Sequence, residues 1–161
     1  MSGRIIPEQN NVRELVDMLS DSTSVVSLQE EAWKPSTEVF YAGAYLTSSE
    51  EPRVLVIIDL PLAASLGAIL VRHMPGVAED AIKANALSED LYPNLLEVMN
   101  VFAGTLNSEG VEHVVFREGY PNSELPKSLS DLLAGEPHTR ADYTVGIPRY
   151  FDGKLAFLAF D

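Results

Sequence analysis

Glu97, Asn100 and Gly104 are the residues of this chain whose types and spacing most readily offer a chemical surface. A carboxylate brings charge and acceptors, and a carboxamide brings a donor and an acceptor while staying neutral. Three residues apart on a helix, both reach into the same space from one rigid element. A glycine one turn further on leaves the backbone bare, which lets another surface come close. Taking Leu95 as the reference direction, Asn100 lies near 140°, Gly104 near 180° and Glu97 near 200°, all roughly, at about 100° per residue. Val101, at roughly 240°, flanks this patch as an apolar residue at its edge.

The element that must carry the patch is the stretch from Ser88 to Gly110. Leu91, Leu95, Val98, Met99, Phe102 and Leu106 recur at the three- and four-residue spacing of an amphipathic helix. Those six form the buried stripe, and Glu97, Asn100 and Gly104 face away from it. Ser88 suits the N-cap, with Glu89 and Asp90 in the first turn. Pro93 conflicts with a helix that begins so early, because deep in a helix it removes a hydrogen bond and clashes with the preceding turn. Either the helix kinks there or Pro93 is itself a first-turn residue.

Other chemistry is poorly supplied. The three histidines, His73, His113 and His138, show none of the close spacings of a zinc site, so no metal site is expected. No phosphate-binding glycine loop and no nucleophile elbow appear. Glu50-Glu51 and Glu89-Asp90 read as a turn and a helix start. A second E-x-x-N, Glu8 with Asn11, opens the chain's first helix and is weighed as a second site. The position matching Gly104 is Leu15 there, and a carboxylate is favoured in a first helical turn in any case.

Glu97-Val-Met-Asn100 followed by Val-Phe-Ala-Gly104 resembles the E-x-x-N…G helix of the CheC/CheX/FliY family, bacterial phosphatases that act on the phosphorylated receiver protein CheY. The specific match covers Glu97 to Gly104. The order of elements from Val54 to Phe160 is similar to that of the single-motif CheX type. Many such motifs place Asp or Ser four residues before the Glu, and here that position is Pro93. The resemblance implies that Asn100 positions the attacking water and that Glu97 pairs with a lysine of the receiver. Val101 and Gly104 then belong to the docking face. It implies no cofactor of the chain's own, since the receiver holds the Mg²⁺. It also implies a homodimer formed through strands, for which the closing hairpin, Tyr143 to Phe160, offers an edge.

Composition bounds the rest. One domain spanning 1–161 is expected from 161 residues. A hydrophobic share of 46% and a charged share of 22% suit a globular chain with a sizeable core. The formal net charge of −13 argues against nucleic acid and anionic membranes, which need clustered Lys and Arg. There is no cysteine, no apolar leader and no apolar run long enough to span a bilayer, so a cytoplasmic protein is expected.

The remaining elements follow from pattern. Pro7–Leu19 reads as a helix, and 24–33 and 37–47 as strands, with Gly43 marking a bulge or a close backbone approach. Val54–Ile58 reads as a central buried strand. Asp59 then caps a helix with Pro61 in its first turn, which Pro75-Gly76 ends, His73 lying in its last turn. A strand at Val111–Arg117 precedes an irregular segment, 118–137, with one helical piece at Ser128–Leu133. Strands at Tyr143–Tyr150 and Lys154–Phe160 close the chain. The expected fold is α+β, helices on an antiparallel-rich sheet, CheC/CheX-like. The expected function is a phosphatase of a CheY-like receiver in chemotaxis-type signalling. The alternative is a non-catalytic receiver-binding or dimeric structural module of the same fold.

Overall fold

The apolar run Val54–Ile58 lies at the centre of the structure, with all five residues buried. The computed structural model describes residues 6–107 and 112–160. Among them, six strands form one antiparallel sheet: β1 (Val25–Gln29), β2 (Phe40–Leu46), β3 (Pro52–Asp59), β4 (Val115–Pro121), β5 (Thr139–Gly146) and β6 (Gly153–Ala159). Their spatial order is β1-β5-β6-β3-β2-β4. Five helices accompany them: α1 (Gln9–Ser20), α2 (Leu60–Leu70), α3 (Pro75–Ala84), α4 (Leu91–Leu106) and α5 (Lys127–Ala134).

Strand side chains alternate between faces, so a run buried throughout needs cover on both. Val54, Val56 and Ile58 join one core with Leu62 and Leu66 of α2 and Leu95, Met99 and Phe102 of α4. Leu55 and Ile57 face the other way, into a smaller cluster with Leu158 of β6 and Leu129 of α5. Fully burying such side chains stabilises by about 1.5–3 kcal/mol each.

Local signals act largely as the sequence suggests. The Asp59 carboxylate accepts from the Leu62 N–H at 3.1 Å and caps α2, with Pro61 in its first turn. Glu8 and Asn11 form a reciprocal capping box on α1, the Glu8 N–H donating to Asn11 Oδ1 at 3.2 Å. The second E-x-x-N is therefore a helix start, with both side chains occupied by the cap.

Four expectations need correction. Pro75-Gly76 opens α3 rather than ending α2, because proline suits a first helical turn as well as it stops a helix. His73 accordingly lies in the turn between the two helices. The strand expected at Val111–Arg117 runs from Val115 to Pro121, with Val111 itself outside the described residues, and the segment after it folds into a short 3₁₀ turn (Asn122–Glu124) and α5. The closing hairpin offers no edge: β5 lies between β1 and β6, and β6 between β5 and β3. Among the described residues the edge strands are β1 and β4, and one β1 carbonyl, that of Val26, accepts from the Gln9 side chain at 2.7 Å.

Asn107, just past α4, ties the helix to the next strand. Its side-chain N–H₂ donates to the carbonyls of Ala103 at 3.0 Å and Val114 at 2.8 Å, and its oxygen accepts from the Val114 N–H at 2.8 Å. Gly110, the last residue of the stretch read as the motif helix, lies outside the described residues.

Candidate functional site

α4 begins at Leu91, with Pro93 exposed in its first turn, where its missing N–H is no loss. Ser88 Oγ accepts from the Leu91 N–H at 3.2 Å, so the serine steadies the turn that leads into the helix. Glu97 then lies one turn beyond Pro93. The six-residue stripe Leu91, Leu95, Val98, Met99, Phe102 and Leu106 is buried to 1% exposure or less. Glu97, Asn100 and Gly104 are exposed, and Val101 is half-buried at the margin.

What seats this helix is a pair of glycines that sequence reading only half found. Gly43 of β2 stands directly opposite Gly119 of β4 in the sheet register. A Cβ on Gly43 would come within 2.9 Å of Met99 Sδ, and one on Gly119 within 2.6 Å of Leu96 Cδ2 and 3.2 Å of the same sulfur. The bare strands form a shallow seat for the underside of α4. Gly43 is thus the close-approach glycine, and the register irregularity sits just beyond it, at Ala44 to Leu46. Gly119 was hidden in a stretch, Glu118-Gly119-Tyr120-Pro121, with the composition of a turn.

Side-chain hydrogen bonds fix the helix further. The buried Tyr45 hydroxyl donates to the Met99 carbonyl, and Tyr92 OH donates to the Gly119 carbonyl at 2.8 Å. Asn94 Nδ2 donates to the Gly67 carbonyl of α2 at 3.1 Å. Burial pushes the Tyr45 phenol well above its ordinary range, so it stays a protonated donor.

By contrast, the exposed face is unemployed within the chain. Glu97 and Asn100 have no hydrogen-bond or ion-pair partner among the described residues. Among the described residues, a Cβ on Gly104 would meet nothing within 4 Å. The arrangement presents one negative acceptor, one neutral donor–acceptor and one bare backbone position from a rigidly held helix. It can orient a water and hold a cation brought by another molecule.

No protein-family model matches the sequence, and no curated protein matches it. Likeness appears among solved structures. A chain of the FliG-FliM complex from H. pylori superposes with a TM-score of 0.50 at 6% identity, over 94% of this chain and 86% of that one. The FliM middle domain from H. pylori gives 0.48 at 8% identity, over 94% and 84%. A chain of the CheX-CheY-BeF3-Mg+2 complex from Borrelia burgdorferi gives 0.44 at 9% identity, over 98% and 100%. At these identities the likeness is one of fold: an α+β architecture with an antiparallel sheet and packed helices. Among the described residues, no helix is long and apolar enough to cross a membrane.

Proposed function

We propose that the chain stimulates hydrolysis of the aspartyl phosphate of a CheY-like receiver, in chemotaxis-type signalling. One observation carries this reading. Glu97 and Asn100 stand exposed and unpartnered, side by side on a helix that the rest of the fold holds firmly. Gly104 adds to it. A helix glycine costs about 0.5–1 kcal/mol relative to alanine, and no contact with the described residues demands one at this position.

An aspartyl phosphate is a reactive acyl phosphate, so a helper protein has mainly to position water. The receiver supplies the Mg²⁺ and a lysine. Asn100 accepts a proton-side hydrogen bond from the water and holds its oxygen in line with phosphorus while adding no charge beside the phosphoryl group. The P–O bond to the aspartate breaks, the carboxylate leaves with the electron pair, and the water's proton passes to phosphate or solvent. Glu97 pairs with the receiver's lysine and fixes the docking. Val101 and Gly104 make the contact surface around them.

The test is phosphate release from a phosphorylated receiver with wild-type protein and with Asn100→Ala. Acceleration by wild type that Asn100→Ala abolishes supports the assignment. Equal acceleration by both removes Asn100 from the mechanism.

A second reading is a receiver-binding module without turnover. Pro93, in place of the acid or serine that many related motifs carry, favours it. Binding of the phosphorylated receiver without faster release would establish it.

We also propose that two copies pair through the β1 edge. β4 carries Arg117, Glu118 and Pro121, which discourage edge pairing. β1 has neither charge nor proline, and its Val25 and Leu28 are 68% and 57% exposed.

A further inference from the structure

Two arginines stand where the backbone favours glycine, and both face one cleft. After α2 the His73 N–H reaches the Ala68 carbonyl at 2.8 Å and the Arg72 N–H reaches that of Ile69 at 2.9 Å. This pair of bonds is the Schellman ending, and it holds Arg72 in the left-handed region at φ 59°. Glycine is the usual occupant there, because any Cβ is penalised. Arg149 is the third residue of another turn, closed by the Tyr150 N–H to the Ile147 carbonyl at 3.0 Å. Pro148 precedes it, and its φ is 75°. A proline-led turn with positive φ at the third position is of type II, which again favours glycine or asparagine.

The Tyr150 hydroxyl donates to the His73 carbonyl at 2.7 Å and so joins the two turns. Between them lies a cleft of about 230 Å³, lined by Arg72, His73, Arg149, Ser20 and Ser22 among others. One acid, Asp21, is also on its wall, exposed and itself left-handed at φ 52°. The chain carries a net charge of −13, and Arg53, Lys83, Arg117, Lys127 and Arg140 each pair with an acid. Arg72 and Arg149 have no such partner among the described residues.

We propose that this cleft is a binding subsite for a small phosphate-bearing anion, either inorganic phosphate or a small phosphomonoester. Guanidinium groups present paired donors that match two phosphate oxygens, which a lone ammonium does not. Ser20 Oγ donates to the Val16 carbonyl at 2.8 Å and Ser22 Oγ to Ser20 Oγ at 2.8 Å, so the serines shape the wall and the two guanidinium groups supply the donors. The volume admits a phosphate with a short organic body. The site uses the ends of α1 and α2 and the 147–150 turn, and so does not depend on the role assigned to Glu97 and Asn100.

The experiment uses the full chain, with inorganic phosphate and glycerol 3-phosphate in separate arms against sodium chloride of equal ionic strength. Binding is read by calorimetric titration and by the thermal midpoint. Wild type is expected to bind phosphate and to melt higher in phosphate than in chloride. Arg72→Gly and Arg149→Gly fit their backbone positions better than arginine does, so their midpoints in chloride stay at or above wild type. Each is expected to bind at least about tenfold more weakly, the worth of one charge-assisted hydrogen bond. Arg72→Asn and Arg149→Asn, which also tolerate a left-handed backbone, should behave alike. Stronger binding of glycerol 3-phosphate than of phosphate assigns the site to an ester, and the reverse to the free ion. A wild type indifferent to both against chloride, or glycine variants that bind as wild type does, overturns the proposal.

Discussion

The hydroxyl of Tyr45 donates to the carbonyl of Met99, the residue immediately before Asn100. A strand residue buried in the core thus holds the helix turn from which the candidate site projects. Tyr45→Phe should cost about 1 kcal/mol of stability, the usual net worth of such a bond, read from urea unfolding. Stimulated phosphate release should fall, but far less than with Asn100→Ala, because the carboxamide remains.

Glu97→Ala and Asn100→Ala should separate docking from turnover. Both leave solvent-facing positions without a cavity, so stability should stay within about 0.5 kcal/mol of wild type. Asn100→Ala should bind the phosphorylated receiver and fail to accelerate release. Glu97→Ala should weaken binding as well, through loss of a charge-assisted contact. Receiver titrations that report both affinity and maximal rate distinguish the two.

Gly104→Ala should stabilise the chain by about 0.5–1 kcal/mol, because helix propensity improves and the new methyl meets none of the described residues. Gly104→Leu should add bulk to the face and weaken receiver binding. A stabilised variant that docks as well as wild type would remove Gly104 from the contact surface.

Gly43→Ala and Gly119→Ala should each destabilise, by about 1 kcal/mol or more, through overpacking beneath α4. Both methyls press on the same Met99 sulfur. The double variant should therefore depart from additivity by about 0.5 kcal/mol or more in a double-mutant cycle.

Asp59 gives the chain a testable pH dependence. Burial raises its pKa from 3.8 to about 6, against the opposing pull of the Leu62 and Lys154 N–H groups and the Lys154 charge. The folded chain therefore keeps a proton that the unfolded chain releases. The stability this confers is full below about pH 4 and is lost as pH rises through about 6; its size is on the order of 2–3 kcal/mol. Glu38 is shifted oppositely, to about 2, by hydrogen bonds from the Trp33 side chain and the Ser36 N–H, and so acts below this window. Asp59→Asn retains an oxygen to cap α2 and should flatten the dependence between pH 4 and 7 in urea midpoints.

How much of this was legible depended on the range of the interaction. The stripe of α4 and the cap at Asp59 are local patterns, and both appear in the structure where periodicity and capping chemistry place them. Pro75-Gly76 was ambiguous, since proline belongs at a helix start and also after a helix end. The order of strands could not be read, because β1 pairs with β5, more than a hundred residues away, and no local pattern records that choice. Gly119 escaped notice for the same reason. Its meaning lies in Gly43 across the sheet and in Met99 above, and its own neighbours resemble a turn.

The Asn107 clasp has a practical corollary. By bonding the Ala103 carbonyl and both the N–H and the carbonyl of Val114, one side chain ties the last turn of α4 to the residue just before β4. Asn107→Ala cuts all three bonds in one substitution, a way to loosen α4 from β4 without touching Glu97 or Asn100.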